Sequence, residues 1–304
     1  MERDSRLEMQ GEQLMIRIDE KRCVPCSRCV DVCPAEIFTW DGPQGKRHKL
    51  HVLNQELCII CGHCVAICLE EAIIHEQLPS DLFLPLEPVE ITPDALRNLM
   101  LSRRSIRAYK PDPVPRSVLE QLLEVAIHAG TASNSQNVEF TVVEDTTLLS
   151  YLETLVIETL WNQLRKLGNP IMRKLARLRY SEAQLQVLQR YYKAFKDSLD
   201  ADKVQGRIFR GAPAAIMLHT PEKSTLNAAN CALAIANMTV FAQTLGLGVC
   251  WVGFLVEASL RSSNFNEILE IPDSRKILGC LIVGYPKYTY SKSIPRKQRK
   301  VNWL

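Results

Sequence analysis

The chain is short of several features that would narrow its chemistry. Among its 304 residues, no apolar run approaches the ~20 needed to cross a bilayer as a helix, so a transmembrane helix is excluded. Glycine is sparse, at 13 residues, and no G-x-G-x-x-G unit follows a strand-like segment, which argues against a separate dinucleotide-binding domain. The six histidines are scattered, and neither His128, His219 nor the others have a partner readable from spacing, so no acid–base set emerges. The first residues lack the apolar stretch of a secretory signal; a reducing, cytoplasmic setting is expected, and disulfides are not. Net charge is also small, at +3, but it is unevenly spread. Residues 1–80 hold 9 Lys/Arg against 13 Asp/Glu, a balance of −4, and the remainder carries +7. A basic second part suits an anionic cofactor or an acidic partner, though a solvated basic surface reads the same way.

What the chain has in quantity is cysteine: 11 residues, eight of them in two runs. The first reads Cys23-Val-Pro-Cys26-Ser-Arg-Cys29-Val-Asp-Val-Cys33-Pro34, and the second Cys58-Ile-Ile-Cys61-Gly-His-Cys64-Val-Ala-Ile-Cys68. The spacing C-x2-C-x2-C-x3-C is that of bacterial two-cluster ferredoxins, in which the fourth cysteine of each run ligates the other cluster. One [4Fe–4S] cluster is thus assigned to Cys23, Cys26, Cys29 and Cys68, and a second to Cys58, Cys61, Cys64 and Cys33. A structural zinc site would use one closed set of four ligands, usually as two pairs, and two runs of four overshoot it. Leu69 stands where the second run would usually carry proline. Cys231, Cys250 and Cys280 sit in apolar contexts and read as buried small hydrophobes.

The order of elements predicts two domains. Short strands are expected at Leu14–Ile18, Ile37–Trp40, Lys49–Leu53 and Ala72–Ile74, with turn chemistry at Asp41–Gly45. This strand–motif–strand repeat places a cluster domain at 1–80, too small to build a core without its metal. The proline-bearing stretch 81–90 reads as a linker, and 91–304 as the second domain. There, Thr92 and Pro93 mark a helix start, and Arg116–Ala129 has helical spacing. Thr131–Asn137 is a loop, and Phe140–Val143 a strand. Leu148–Gln205 is helical, broken at Gly168-Asn169-Pro170. Strands are expected at Ala214–Leu218, Val249–Gly253 and Ile277–Val283, and a helix at Asn230–Leu245 ended by Gly246.

Four segments of the second domain carry a resemblance. These are Arg103-Arg104-Ser105-Ile106-Arg107; Asn134-Ser135-Gln136 followed by Phe140-Thr-Val-Val143; Leu245-Gly-Leu-Gly-Val-Cys-Trp-Val-Gly253-Phe254; and Gly284-Tyr285-Pro286 followed by the basic pair Arg296-Lys297. In that order they resemble the FMN-dependent nitroreductase family, and the chain as a whole resembles the ferredoxin–nitroreductase fusions of anaerobes. The resemblance implies an α+β chain: a two-cluster ferredoxin-type domain followed by an α/β sandwich whose central sheet is flanked by helices. It also implies FMN and two [4Fe–4S] clusters as cofactors, and a homodimer.

The resemblance assigns the FMN phosphate to Arg103, Arg104, Ser105 and Arg107, with Arg296 and Lys297 closing over it. The ring falls to Ser133, Asn134 and Gln136 and to backbone N–H groups at Val252 and Gly253. The chemistry agrees. A phosphate dianion suits guanidinium forks and a hydroxyl, and Arg103, Ser105 and Arg107 share a side on extended backbone. Two departures stand out: Asn137-Val138 replaces the family's frequent Pro-Trp, and Asn230 its frequent aspartate. Tyr180, Tyr191, Tyr192 and Phe195 fall in the helical stretch that covers the active site in the family; ordinary helix packing is the competing reading.

The function so implied is electron passage from the clusters to FMN and on to a small organic acceptor: a nitroaromatic, a quinone or an activated alkene. A reduced ferredoxin or other protein is a candidate donor, with no nucleic acid or membrane involved. Two other readings stay open: a carrier delivering electrons to a protein partner through its basic tail, or a redox sensor.

Overall fold

The computed structural model describes residues 16–41, 49–165, 169–178, 180–201, 203–221 and 224–304. The start of the first expected strand, the turn after Asp41 and Gly168 lie outside them. The chain divides into two compact units: Met1–Glu90 with Ser133–Ser135, and Ile91–Ala132 with Gln136–Leu304.

The first unit is built twice over. Strand β1 (Ile16–Ile18) pairs antiparallel with β4 (Ile73–His75), and β2 (Phe38–Trp40) with β3 (Leu50–Val52), so each ribbon joins the two halves of the repeat. Helices α1 (Arg28–Val32) and α2 (His63–Ala66) follow the second cysteine of each motif. The duplication extends to the backbone. Ser27 and Gly62 precede the two helices with φ of 60° and 71°, and Glu36 and Glu71 follow the fourth cysteines with φ of 52° and 48°. The turn lacking proline has the same form as its counterpart. Glu36 N–H donates to the Cys33 carbonyl (3.2 Å), and Glu71 N–H to that of Cys68 (3.1 Å). Leu69 therefore occupies the position of Pro34 without altering the turn. The core is small: Ile16, Ile37, Phe38, Leu50 and Ile73 with the buried Cys29 and Cys64.

The second unit has three layers around a four-stranded antiparallel sheet. It comprises β5 (Glu139–Val143), β6 (Ala214–Pro221), β7 (Gly248–Trp251) and β8 (Arg275–Gly284), in the order β5-β6-β8-β7. Alternation along the central strands sorts side chains to two faces. Ala214, Ile216, Leu218, Leu281 and Val283 pack with α4 (Arg116–Ile127) and α8 (Asn227–Phe241). Ala215, Met217, Cys280 and Ile282 pack with α5 (Thr146–Leu164) and a short α9 (Gly253–Ser259). Pattern reading missed α9 and α10 (Asn264–Ile268), since each is less than two turns long.

Helix α3 (Pro93–Ser102) starts as expected, the Thr92 hydroxyl accepting the Ala95 N–H (3.2 Å). The long helical stretch resolves into α5, α6 (Pro170–Ala176) and α7 (Glu182–Asp200). Tyr151, Tyr180 and Tyr191 are exposed, while Phe195 is buried. Tyr191 and Phe195 meet Phe254 of α9 edge-on at 5.0 and 5.5 Å, and Tyr192 lies 4.8 Å from Trp161. Glu153 of α5, 3% exposed, accepts backbone N–H groups from Gly206 (2.6 Å), Phe209 (2.9 Å) and Ile208, fixing that loop to the core.

Candidate functional site

In the first unit the eight motif cysteines gather into two pockets, four to each. Cys23, Cys26, Cys29 and Cys68 line one, with Trp40 and Leu50; Cys33, Cys58, Cys61 and Cys64 line the other, with Phe38 and His75. The crossing follows from helix length. Cys29 sits inside α1 and Cys33 caps its end, one turn further on, so a single turn carries the chain from one pocket to the other. Burial pushes the Cys29 thiol up to about 11 and that of Cys64 up to about 12. Cys23 and Cys58 are also raised, by burial first. Thiols crowded this way resist ionising alone, and a cationic metal centre removes the penalty because coordination deprotonates them.

Four thiols around each pocket fit a [4Fe–4S] cluster, which takes four cysteine ligands. Asn134 belongs with this unit too: its amide donates to the carbonyls of Ile59 (3.1 Å) and Ile60 (2.9 Å), between Cys58 and Cys61.

In the second unit the basic segment is pinned along the sheet edge. Ser105 bridges Val249 of β7, Ile106 N–H donates to the Val249 carbonyl (3.0 Å), and Lys110 N–H to that of Tyr285 (2.8 Å). Lys287 N–H returns a bond to Ala108 (3.0 Å). Three of the four expected segments thus meet at one edge: Arg103–Arg107, the Gly248–Gly253 stretch and Gly284–Pro286. The approach is close, since a Cβ added at Gly248 would lie 2.5 Å from Ile106. Arg296 and Lys297 lie in the exposed tail, and no described contact ties them to the segment.

Beside the segment is a cavity of about 330 Å³, lined by Ser102, Arg104, Ile106, Gln243, Gly248 and Tyr288 among others. Arg104 donates to the carbonyls of Leu101 (3.0 Å) and Arg103 (2.6 Å), while its Nε is buried without a partner. An unspent guanidinium N–H is a donor that an anionic group would satisfy, so the donor set fits a phosphate. At the end of β7, Val252 N–H is committed to the Cys280 carbonyl (2.8 Å). Of the two expected backbone donors, this leaves Gly253, which opens α9 with open space where a side chain would stand.

The loop at 131–137 is held in strained form. Ser133, Asn134 and Gln136 take φ of 51°, 52° and 43°, a region costly for residues other than glycine. Gln136 N–H donates to the Thr131 hydroxyl (3.0 Å) and Ala132 N–H to the side-chain Oδ1 of Asn230 (3.0 Å). The two departures from the family pattern are neighbours. Asn230 donates to the Asn137 side-chain oxygen (3.4 Å), and Asn137 donates to Asn227 (3.0 Å). Aspartate at 230 could not donate, nor proline at 137 accept through a side chain. The Asn137 backbone carbonyl accepts from Arg275 (2.9 Å), whose guanidinium also bonds His219 Nδ1 (2.9 Å) and Glu139 (2.9 Å).

The nitroreductase family model matches residues 100–285, more than half of the chain. The chain belongs to the nitroreductase family. A 4Fe-4S dicluster model matches residues 22–72, so this nitroreductase carries a ferredoxin domain ahead of its oxidoreductase domain. It is 27% identical to Nitroreductase NfnB of Mycolicibacterium smegmatis over 211 residues, 66% of this chain and 87% of that protein. A 45-residue stretch is 49% identical to an NADH dehydrogenase of Thermus thermophilus, covering 15% of this chain and 22% of that protein. Among solved structures, a nitroreductase with bound FMN from Desulfitobacterium hafniense superposes with a TM-score of 0.50 at 18% identity, over 68% of this chain and 98% of that one. That likeness concerns the fold.

Sequence reading of this nitroreductase missed the partners of its histidines. His219 joins Arg275 and the Thr141 hydroxyl (3.1 Å), and His75 lies against Cys58. A signal existed for His75: two residues after Ile73 on a strand, it shares that residue's face.

Proposed function

We propose that this nitroreductase is an FMN-dependent oxidoreductase that takes low-potential electrons through two [4Fe–4S] clusters to FMN and on to a small organic acceptor: a nitroaromatic, a quinone or an activated alkene. One observation carries the reading: two four-cysteine pockets and a basic, sheet-edge segment with an unspent guanidinium N–H occur on one chain. Cys23, Cys26, Cys29 and Cys68 hold one cluster, and Cys33, Cys58, Cys61 and Cys64 the other. Arg103, Arg104, Ser105 and Arg107 bind the FMN phosphate, joined by Arg296 and Lys297 of the tail. Gly253 and Gln136 serve the ring. When bound, FMN supplies two-electron transfer, and the protein positions it and sets its electrostatics.

A homodimer is part of the reading. It is supported by apolar side chains left exposed on α3, Leu96, Met100 and Leu101, and on the tail, Ile294, Val301 and Trp303.

Joining donor and acceptor modules on one chain raises their effective concentration, which gives the test. Cys26→Ser is expected to keep FMN and to keep turnover when a small chemical reductant reduces the flavin directly. Turnover driven by reduced ferredoxin or another one-electron protein donor is expected to be mostly lost, with circular dichroism showing the fold intact. A folded variant lacking one cluster that turned over at the wild-type rate with the protein donor would overturn the electron route. Iron and acid-labile sulfide near eight each per chain are expected on anaerobic purification.

A further inference from the structure

The two cysteine pockets differ in what touches their sulfur. His75 ends β4 with its side chain 3% exposed. Its Nδ1 accepts the Gln77 N–H (3.2 Å), so the ring carries its proton on Nε2. Nε2 lies 3.6 Å from Cys58 Sγ, in reach of an N–H···S hydrogen bond, and the same sulfur faces the Ile60 N–H at 3.4 Å. In the other pocket Cys68 Sγ receives the Ala72 backbone N–H (3.2 Å), while Trp40 gives its indole N–H to Ser27 (3.2 Å). Among the described residues, no other side chain hydrogen-bonds a motif sulfur.

Reducing an iron–sulfur cluster adds one negative charge, shared with its thiolate sulfurs. A donor aimed at such a sulfur stabilises the reduced form more than the oxidised one, and low local polarity strengthens the effect. Hydrogen bonds to sulfur and solvent exposure are among the terms that set cluster potential.

We infer that His75, through its Nε2–H and Cys58 Sγ, raises the reduction potential of the cluster held by Cys33, Cys58, Cys61 and Cys64 above that of its neighbour, making it the site where a single electron rests. This rests on the reading that both pockets hold [4Fe–4S] clusters. The step is a one-electron reduction without proton uptake, the electron coming from the donor that feeds the clusters. His75 is a tuning residue, not a ligand.

The test is an EPR-monitored redox titration of anaerobically purified holoprotein, with His75→Phe and His75→Gln beside the wild type. Iron and sulfide are counted first; their absence from the wild type would defeat the cluster reading itself, separately from the role of His75. With both clusters present, Phe is expected to lower the midpoint of one cluster by about 59 mV, a tenfold change in its reduced-to-oxidised ratio at fixed potential. The other cluster should be unmoved. Glutamine, which can still donate, should fall less. Two wild-type midpoints in a cluster-replete Phe variant would overturn the inference. Should that variant lose a cluster, pulsed EPR on protein labelled with ¹⁵N-histidine decides. A histidine nitrogen coupling that disappears in His75→Gln supports the bond, and a coupling unchanged by that substitution overturns it.

Discussion

Glu153 offers the clearest energetic prediction. Its carboxylate is buried in α5 beside Leu152, Val156 and Ile157, and it accepts the N–H groups of Gly206, Ile208 and Phe209. Ile208 and Phe209 are themselves core residues, so the bonds also hold apolar surface in place. In Glu153→Ala three N–H groups lose their acceptor. Each buried donor left unsatisfied costs about 1–3 kcal/mol, and partial relaxation of the loop brings the total to about 3–5 kcal/mol. A domain of this size shifts by about 2–4 °C per kcal/mol, so Tm is expected to fall by about 10 °C. Glu153→Gln retains one oxygen but turns an NH₂ towards donors, and it should recover about half of the loss. Tryptophan fluorescence suits the assay, since Trp161, Trp251 and Trp303 report on the second unit and only Trp40 on the first. Glu153→Ala melting within about 3 °C of wild type, or a Gly206–Phe209 segment with unchanged hydrogen exchange, would refute the carboxylate as the anchor.

Other expectations are specific to single residues. Arg107→Ala should weaken FMN binding by about 1.5–3 kcal/mol, the range for a hydrogen bond to a charged group, and leave riboflavin binding unchanged; equal losses for both ligands would remove Arg107 from the phosphate site. His219 has its pKa lowered by burial first and by the Arg275 charge second, against the pull of Glu139. The unfolded chain therefore takes up the proton first, so stability is full above the unfolded pKa near 6.5 and falls as pH drops below it. His219→Asn should make Tm fall less steeply between pH 7 and 5, and parallel slopes would show that His219 does not contribute. Leu69→Pro should stabilise the cluster unit by about 0.4–1 kcal/mol, because the turn already has the form that Pro34 takes in its counterpart; a lower thermal midpoint for cluster loss would show that the turns differ.

Much of this was legible because the controlling rules are local. Cysteine spacing assigns a pocket to each motif cysteine, since one helical turn sets where Cys33 and Cys68 go. Thr92-Pro93 marks a helix start because capping concerns adjacent residues. The strands of the central sheet announce themselves by apolar runs buried on both faces. What stayed hidden depends on residues far apart in sequence. Nothing in the sequence says that Asn137 and Asn230 touch, that Glu153 reaches across to Gly206, or that the Val252 N–H is taken by Cys280. The histidines looked idle for the same reason, since Cys58 and His75 are 17 residues apart and meet only in the fold. Short helices such as α9 carry too few turns to show a period.

The exchange of Cys33 and Cys68 between pockets has a consequence for assembly. Neither half of the duplicated unit holds a complete ligand set: cut between the motifs, each would keep three cysteines around its own pocket and one aimed at an absent neighbour. On the proposed two-cluster reading, loading is a joint event, because each cluster draws a ligand from the other half. Damage follows the same logic in reverse. On that reading, oxidation of Cys33 or Cys68 removes a ligand from the pocket of the other motif, which ties the survival of each cluster to both halves.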